Sequence, residues 1–214
     1  MAGHPFFAAA YDAAMAPVEA LGLAAQRRQL LAGARGRVLE VGGGTGLNLA
    51  HYLPSVTEVV VSEPDEAMRR RMAGRVAAAD VAVSLVDSGV PGLAFDDASF
   101  DTVVCTLVLC TLAEPAAGLA ELLRLVRDDG QVLFLEHVLG PPVTARVQRA
   151  LAPAWARLAG GCRLDRDPIA GLRRAGFVVT DCERLAPLGR ASAGLVVRGR
   201  AVPRLTPAVP SRAG

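Results

Sequence analysis

Lysine is absent from this chain: all 23 basic residues among its 214 are arginine, set against 21 acids for a net charge of +2. So slight a balance does not supply the basic footprint of a nucleic-acid-binding surface, and the arginine content reads as compositional bias rather than phosphate recognition. Aromatic residues are scarce, at 4%, with a single tryptophan. The four cysteines, Cys105, Cys110, Cys162 and Cys182, form no Cys-x-x-Cys pair and have no clustered histidine partners in sequence. They therefore indicate no metal site, and nothing in them requires an oxidising compartment. Long hydrophobic runs are missing too: the longest, Val103 to Ala113, falls well short of the ~20 residues that a membrane span takes. The Ala-rich start has no basic residues ahead of an apolar stretch, and Asp12 and Glu19 interrupt it, unlike a secretory leader. A soluble, cytoplasmic protein is the expectation, and there is no internal repeat.

What is present, with 52% apolar residues, can bury one α/β core, and domains of roughly 100–200 residues make a single domain the simplest count. The organising stretch is Arg37-Val38-Leu39-Glu40-Val41-Gly42-Gly43-Gly44-Thr45-Gly46-Leu47-Asn48-Leu49, an apolar strand running into a glycine loop that is expected to open a helix. Val38, Leu39 and Val41 suit a strand buried on both faces, while glycines let backbone amides approach a ligand that a Cβ would hold away. A dinucleotide fingerprint requires Gly-x-Gly-x-x-Gly, and counted from Gly42 its third glycine would fall on Leu47. The glycines here are Gly42, Gly43, Gly44 and Gly46, with Glu40 just ahead of them. A carboxylate beside the loop would repel a pyrophosphate but suits the cationic amino-acid end of S-adenosylmethionine. Glycine spacing and Glu40 together oppose an NAD-dependent oxidoreductase.

Glu40-Val41-Gly42-Gly43-Gly44-Thr45-Gly46 resembles the first motif of class I S-adenosylmethionine-dependent methyltransferases, acid-x-Gly-x-Gly-x-Gly. The stretches from Val103 to Cys110 and from Glu136 to Val138 resemble the methyltransferase-like thiol methyltransferases and the ubiquinone/menaquinone-biosynthesis methyltransferases, and the likeness runs from about Tyr11 to Val202. It implies a Rossmann-like, seven-stranded, mostly parallel sheet with helices on both faces and an antiparallel last strand. It also implies Asn48 in the cofactor segment, and a Tyr-Asp pair, Tyr11-Asp12, closing over the methionine end. A Cys common in the loop is Gly43 here, a change expected to loosen the loop slightly. The thiol methyltransferases carry an N-terminal membrane anchor that is not visible here, so none is carried over.

Residues 1–35 read as a helical lid, with Pro17 forcing a break or a new start. A helix is expected from Leu47 to Leu53, ending before Pro54. Thr57 to Ser62 reads as a second strand that delivers Glu63, placed to accept both ribose hydroxyls, with Pro64 opening the next turn. Glu66 to Ala79 reads as a helix whose Arg69, Arg70, Arg71 and Arg75 form a solvated face. After a third strand, Asp87 is positioned for the adenine amine, an assignment that also fits Ser88 or Gly89. The fourth strand ends at Thr106 and Leu107, and ligands of open α/β sheets bind outside such strand ends. Pro115 to Val126 reads as a helix stopped by Asp128-Asp129-Gly130. A buried fifth strand presents Glu136 and His137 to the substrate side, and histidine is suited to take a proton near neutral pH. Residues 140–168 form the substrate-side insertion, with Val143 to Leu158 as a helix pair and Trp155 as packing anchor or substrate platform. Pro153-Ala154-Trp155, Gly161-Cys162 and Gly176-Phe177 resemble a run of the thiol methyltransferases. A final antiparallel pair, parted by a loop with Pro187 and Gly189, and a disordered tail over 203–214 complete the chain.

In-line methyl transfer asks for positioning and dryness rather than a catalytic triad, and none is visible. A base is needed only for a protonated acceptor, and His137 is the candidate. Few charged side chains other than Arg in the insertion favour a small lipophilic acceptor, whether thiol, phenol or quinone precursor, or amine, handled by a monomer or homodimer. The competing reading is a non-catalytic S-adenosylmethionine-binding protein that kept this fold.

Overall fold

The computed structural model describes residues 5–185 and 195–204. Its strands are β1 (Gly36–Val41), β2 (Val56–Ser62), β3 (Ala82–Val86), β4 (Phe100–Thr106), β5 (Val126–Val138), β6 (Phe177–Arg184) and β7 (Leu195–Pro203). They form one seven-stranded sheet in the order β3-β2-β1-β4-β5-β7-β6. Pairing is parallel from β3 through β5 and antiparallel where β7 meets β5 and β6. The expected Rossmann-like α/β class is therefore the one observed.

Period-two alternation explains why β1 can be apolar throughout: Val38 and Leu39 are both fully buried, but they face opposite layers. Leu39 packs with Val103, Phe134, Leu122 and Leu172 under α4 (Pro115–Leu125) and α6 (Pro168–Ala175). Val38 packs with Val59, Leu133, Leu31 and Met72 under α2 (Ala24–Leu31) and α3 (Glu66–Ala77). Truncating a buried leucine such as Leu39 to alanine in cores of this kind costs about 2–5 kcal/mol.

Several local expectations change. Helix α1 (Pro5–Val18) ends one residue after Pro17, and the chain runs on through a π turn (Glu19–Leu23) that kinks at Gly22, where φ is 130°. The glycine loop opens no α-helix, since only a 3-10 turn (Leu49–His51) fits before Pro54. Helix α4 ends at Leu125 and β5 begins at once, so Asp128-Asp129-Gly130 belongs to the strand. The insertion holds one helix, α5 (Pro142–Leu158), rather than a pair, with Pro153 on its exposed side and inside the helix despite the backbone hydrogen bond it removes. Pro203 closes β7, while residues 205–214 and the loop with Pro187 and Gly189 lie outside the described residues. Among the described residues no helix is long and apolar enough to cross a membrane.

Candidate active site

Register brings the site together. Val41 pairs with Ser62 of β2 and Cys105 of β4, so the glycine loop, Glu63 and Thr106 leave the sheet level with one another, at the point where strand order reverses. The amides of Gly42 and Gly43 donate to Ser62 O at 2.7 and 3.3 Å, folding the loop back over β2. A Cβ on Gly43 would come within 2.2 Å of Val61 Cγ1, one on Gly42 within 2.4 Å of Val108 Cγ2, and one on Gly46 within 2.6 Å of Met72 Cγ. Gly43 is thus demanded by the packing of Val61, which corrects the expectation that losing the Cys merely loosens the loop. Gly44 differs: its φ is +56° and a Cβ there would meet nothing within 4 Å. Its amide donates to Glu63 Oε2 at 2.7 Å, and Glu63 Oε1 accepts from Asp65 N at 2.8 Å. Burial raises the Glu63 carboxyl above its ordinary range, opposed by those two amides.

Glu40 lies under the glycine loop. It is 1% exposed; Oε1 accepts from Asn48 Nδ2 at 3.0 Å and Oε2 from the Tyr52 hydroxyl at 2.7 Å. Asn48 Nδ2 also donates to Thr106 Oγ1 at 2.9 Å, while Asn48 Oδ1 accepts from Arg27 Nη1 at 2.9 Å. Arg27 in turn pairs with Glu19 at 3.0 Å. Each Glu40 oxygen thus carries one protein hydrogen bond, which ties the carboxylate to Asn48 and Tyr52 beneath the loop. The charged side chain on the cavity wall is Arg27, which sequence inspection missed. Its neighbours Gln26, Arg28 and Gln29 make the segment look solvated, and only the buried Asn48 and Glu19 reveal its purpose.

Burial raises the Glu40 carboxyl from 4.5, against the lowering effects of Tyr52, Asn48 and Arg27. The folded chain holds that proton more tightly than the unfolded chain. Glu40's contribution to stability is accordingly complete below pH 4.5 and lost as pH rises through the raised folded value. In melting curves recorded across that window, Glu40→Gln should gain on the parent as pH rises; parallel pH profiles would contradict the assignment.

The cavity has an empty volume of ≈ 250 Å³ counting its mouth and is lined by Tyr11, Arg27, Gly42, Gly44, Leu47 and Thr106, among others. Helix α1 covers it. Thr45 Oγ1 donates to Asp12 Oδ1 at 2.6 Å, and Arg75 reaches Asp12 Oδ2 at 3.1 Å. Arg69 Nη1 donates to Glu63 O at 2.6 Å, so Arg69 and Arg75 are engaged with the site and only Arg70 and Arg71 fit the solvated face. Along the neighbouring strand ends, Asp87 is exposed, Ser88 O accepts from Ser62 Oγ, and Pro64 lies against Gly89. Leu107, at the mouth of β4, holds a φ of 56°, a backbone strain of the sort that clusters at functional sites.

On the β5 side, Glu136 faces inward rather than toward substrate. It is 0% exposed, and Oε1 accepts from Val108 N and Leu109 N at 2.9 Å each, shaping the turn after β4. Burial pushes its carboxyl up to about 7. His137 is half-buried with Nδ1 3.8 Å from Cys162 Sγ, and Cys162 Sγ lies 3.3 Å from Cys110 Sγ. The Cys110 hydrogen bond, and after it His137, draw the Cys162 thiol down, while Cys110 is pushed up. Trp155 packs against the cluster of Cys110, Cys162 and Leu164. Sequence spacing hid this cluster, since Cys110 and Cys162 stand 52 residues apart.

Residues 39–134 match the methyltransferase domain family model. The chain is 33% identical to a thiol S-methyltransferase of Homo sapiens over 73% of its own length and 67% of that enzyme. It is 34% identical to the demethylmenaquinone methyltransferase of Clavibacter sepedonicus over 57% of its length and 51% of that enzyme. It thus spans about half to two thirds of these two relatives' length. The N-methyltransferase NodS of Bradyrhizobium japonicum, solved with S-adenosyl-L-homocysteine, shares the fold with a TM-score of 0.66 at 15% identity, over 85% of this chain and 87% of that one. With a glycine loop, a carboxylate closing β2 and this sheet order behind the sequence match, the chain belongs to the class I S-adenosylmethionine-dependent methyltransferases.

Proposed function

We propose that the methyl group goes to a small apolar acceptor, a thiol, a phenol or quinone precursor, or an amine. The observation that carries this reading is α5: its Trp155 packs against the Cys110–Cys162–Leu164 cluster next to His137, and the same helix exposes the apolar side chains Val143, Val147, Leu151 and Leu158. The names of the two relatives, one acting on thiols and one on demethylmenaquinone, support the same acceptor classes.

In this reading the donor lies over Gly44, with its ribose on Glu63, its adenine toward Asp87 or Ser88, and its methionine carboxylate toward Arg27. Tyr11 and Asp12 on α1 close over it, so α1 swings to admit it, releasing the Asp12 bonds to Thr45 and Arg75. When bound, the donor would supply an activated methyl carbon for in-line transfer to the acceptor. Alignment of the two can contribute roughly 7–11 kcal/mol. His137 takes the proton from a thiol or hydroxyl acceptor, and Trp155 walls the acceptor side.

A labelled-methyl screen of thiols, phenols and amines tests the proposal. Transfer to at least one class is expected. Tight donor binding with no acceptor labelled would favour the non-catalytic alternative. His137→Ala is expected to keep donor affinity while lowering turnover of a thiol by on the order of 10²-fold or more, the usual contribution of a positioned base; unchanged turnover would remove His137 from that role.

A further inference from the structure

Three ligand-type side chains meet at the acceptor edge from separate parts of the chain. Cys110 sits in the turn after β4, His137 near the end of β5 and Cys162 in the turn after α5. Their donor atoms all lie within 4.8 Å of one another. Cys110 is 0% and Cys162 7% exposed, and neither is in a disulfide. The turn that carries Cys110 is held rigidly: Glu136 accepts the amides of Val108 and Leu109, and Cys110 O accepts from Arg163 N at 3.2 Å and Arg166 Nη1 at 2.9 Å.

We propose that Cys110, His137 and Cys162 bind a divalent metal ion of the zinc class. Two sulfurs and an imidazole nitrogen, with no carboxylate among them, select a borderline-soft ion over magnesium or calcium. Zn–S bonds of about 2.3 Å and Zn–N bonds of about 2.0–2.1 Å in a tetrahedron imply S···S near 3.8 Å and S···N near 3.6 Å. The observed 3.8 Å between Cys162 and His137 Nδ1 is close to that geometry, and the 3.3 Å between the sulfurs opens to it by about half an ångström. The buried Trp155 Nε1 makes no hydrogen bond of full geometry among the described residues, yet Trp155 packs against the Cys110–Cys162–Leu164 cluster and helps draw the Cys162 thiol down. A metal-bound thiolate is the kind of acceptor that would satisfy Trp155 Nε1.

Such an ion fastens the α5–α6 connection to the carboxyl edge of the sheet. It also deepens the acceptor reading, although the site does not depend on it. With an ion bound, a sulfur acceptor entering the fourth position would be held as its thiolate and would need no base, whereas the base role of His137 belongs to the chain without the ion.

The test uses the full chain, stripped with chelator, kept reduced and titrated with zinc(II) or cobalt(II). One tightly held equivalent of zinc by elemental analysis is expected, with a thiolate-to-metal charge-transfer band in the cobalt form. Cys110→Ser and Cys162→Ser should abolish the band, while Cys182→Ser, at an exposed position in β6, keeps it. Circular dichroism checks that each variant folds. Absence of stoichiometric zinc in the reduced chain, or an unchanged band in both ligand variants, overturns the proposal. Calorimetric titration with S-adenosylmethionine, run on the same samples, reads the donor site separately, so failure of one assignment leaves the other standing.

Discussion

Gly44→Val will weaken S-adenosylmethionine binding by roughly a hundredfold or more, about 2.7 kcal/mol, while the chain stays folded. Two effects act at this position. A β-branched residue at a φ of +56° is strained by roughly 1–2 kcal/mol. At ~2–4 °C per kcal/mol for a chain of this size, that lowers the melting temperature by a few degrees. The larger effect falls on the ligand, because the side chain projects where a Cβ meets no protein atom, beside an amide already aligned on Glu63. Gly44→Ala shares most of the strain and fills less of the space, so affinity should fall in the order Gly, Ala, Val while the melting temperatures of the two variants stay close. Equal donor affinity across the three proteins would remove the loop from the binding site.

Arg27→Met is expected to destabilise the chain by about 3–5 kcal/mol, the range for breaking one partner out of a buried ion pair. Arg27 is 3% exposed and bonds both Glu19 and Asn48. Its removal leaves a largely buried carboxylate and a buried amide oxygen without their donors, and Asn48 is the link to Glu40 and Thr106 beneath the glycine loop. The damage should therefore spread from stability to donor affinity. Chemical denaturation of Arg27→Met, Glu19→Gln and the double variant measures it. The double variant should be less destabilised than the sum of the singles, since removing both charges leaves none unpaired. A loss within about 0.5 kcal/mol, typical of surface substitutions, would mean that Arg27 is solvated after all.

The framework of the site was legible because it is written locally. An apolar run ending in closely spaced glycines can hardly be other than β1 and its loop, and Glu63 follows β2 at once. The apolar runs of β4 and β5 likewise gave their strands. Arg27, Tyr52 and the Cys110–His137–Cys162 cluster were not legible, for a common physical reason: each takes its meaning from a partner remote in sequence. Nothing in Ala25-Gln26-Arg27-Arg28 says which arginine turns inward until Asn48 lies beneath it. Nor does Glu40 disclose that Tyr52 and Asn48 will each bond one of its oxygens. The same holds for α3, where helical spacing suggested a solvated arginine face and tertiary contacts drew Arg69 and Arg75 to the site. Helix length failed where a proline was taken for a stop: Pro153 sits within α5, which continues to Leu158.

The most direct measurement is the crystal structure of the full chain with S-adenosylhomocysteine. The account predicts density across Gly42 to Gly46, with the ribose hydroxyls on the Glu63 carboxylate and the amino-acid end near Arg27. Ligand density anywhere else, or a ribose with no contact to Glu63, would contradict it.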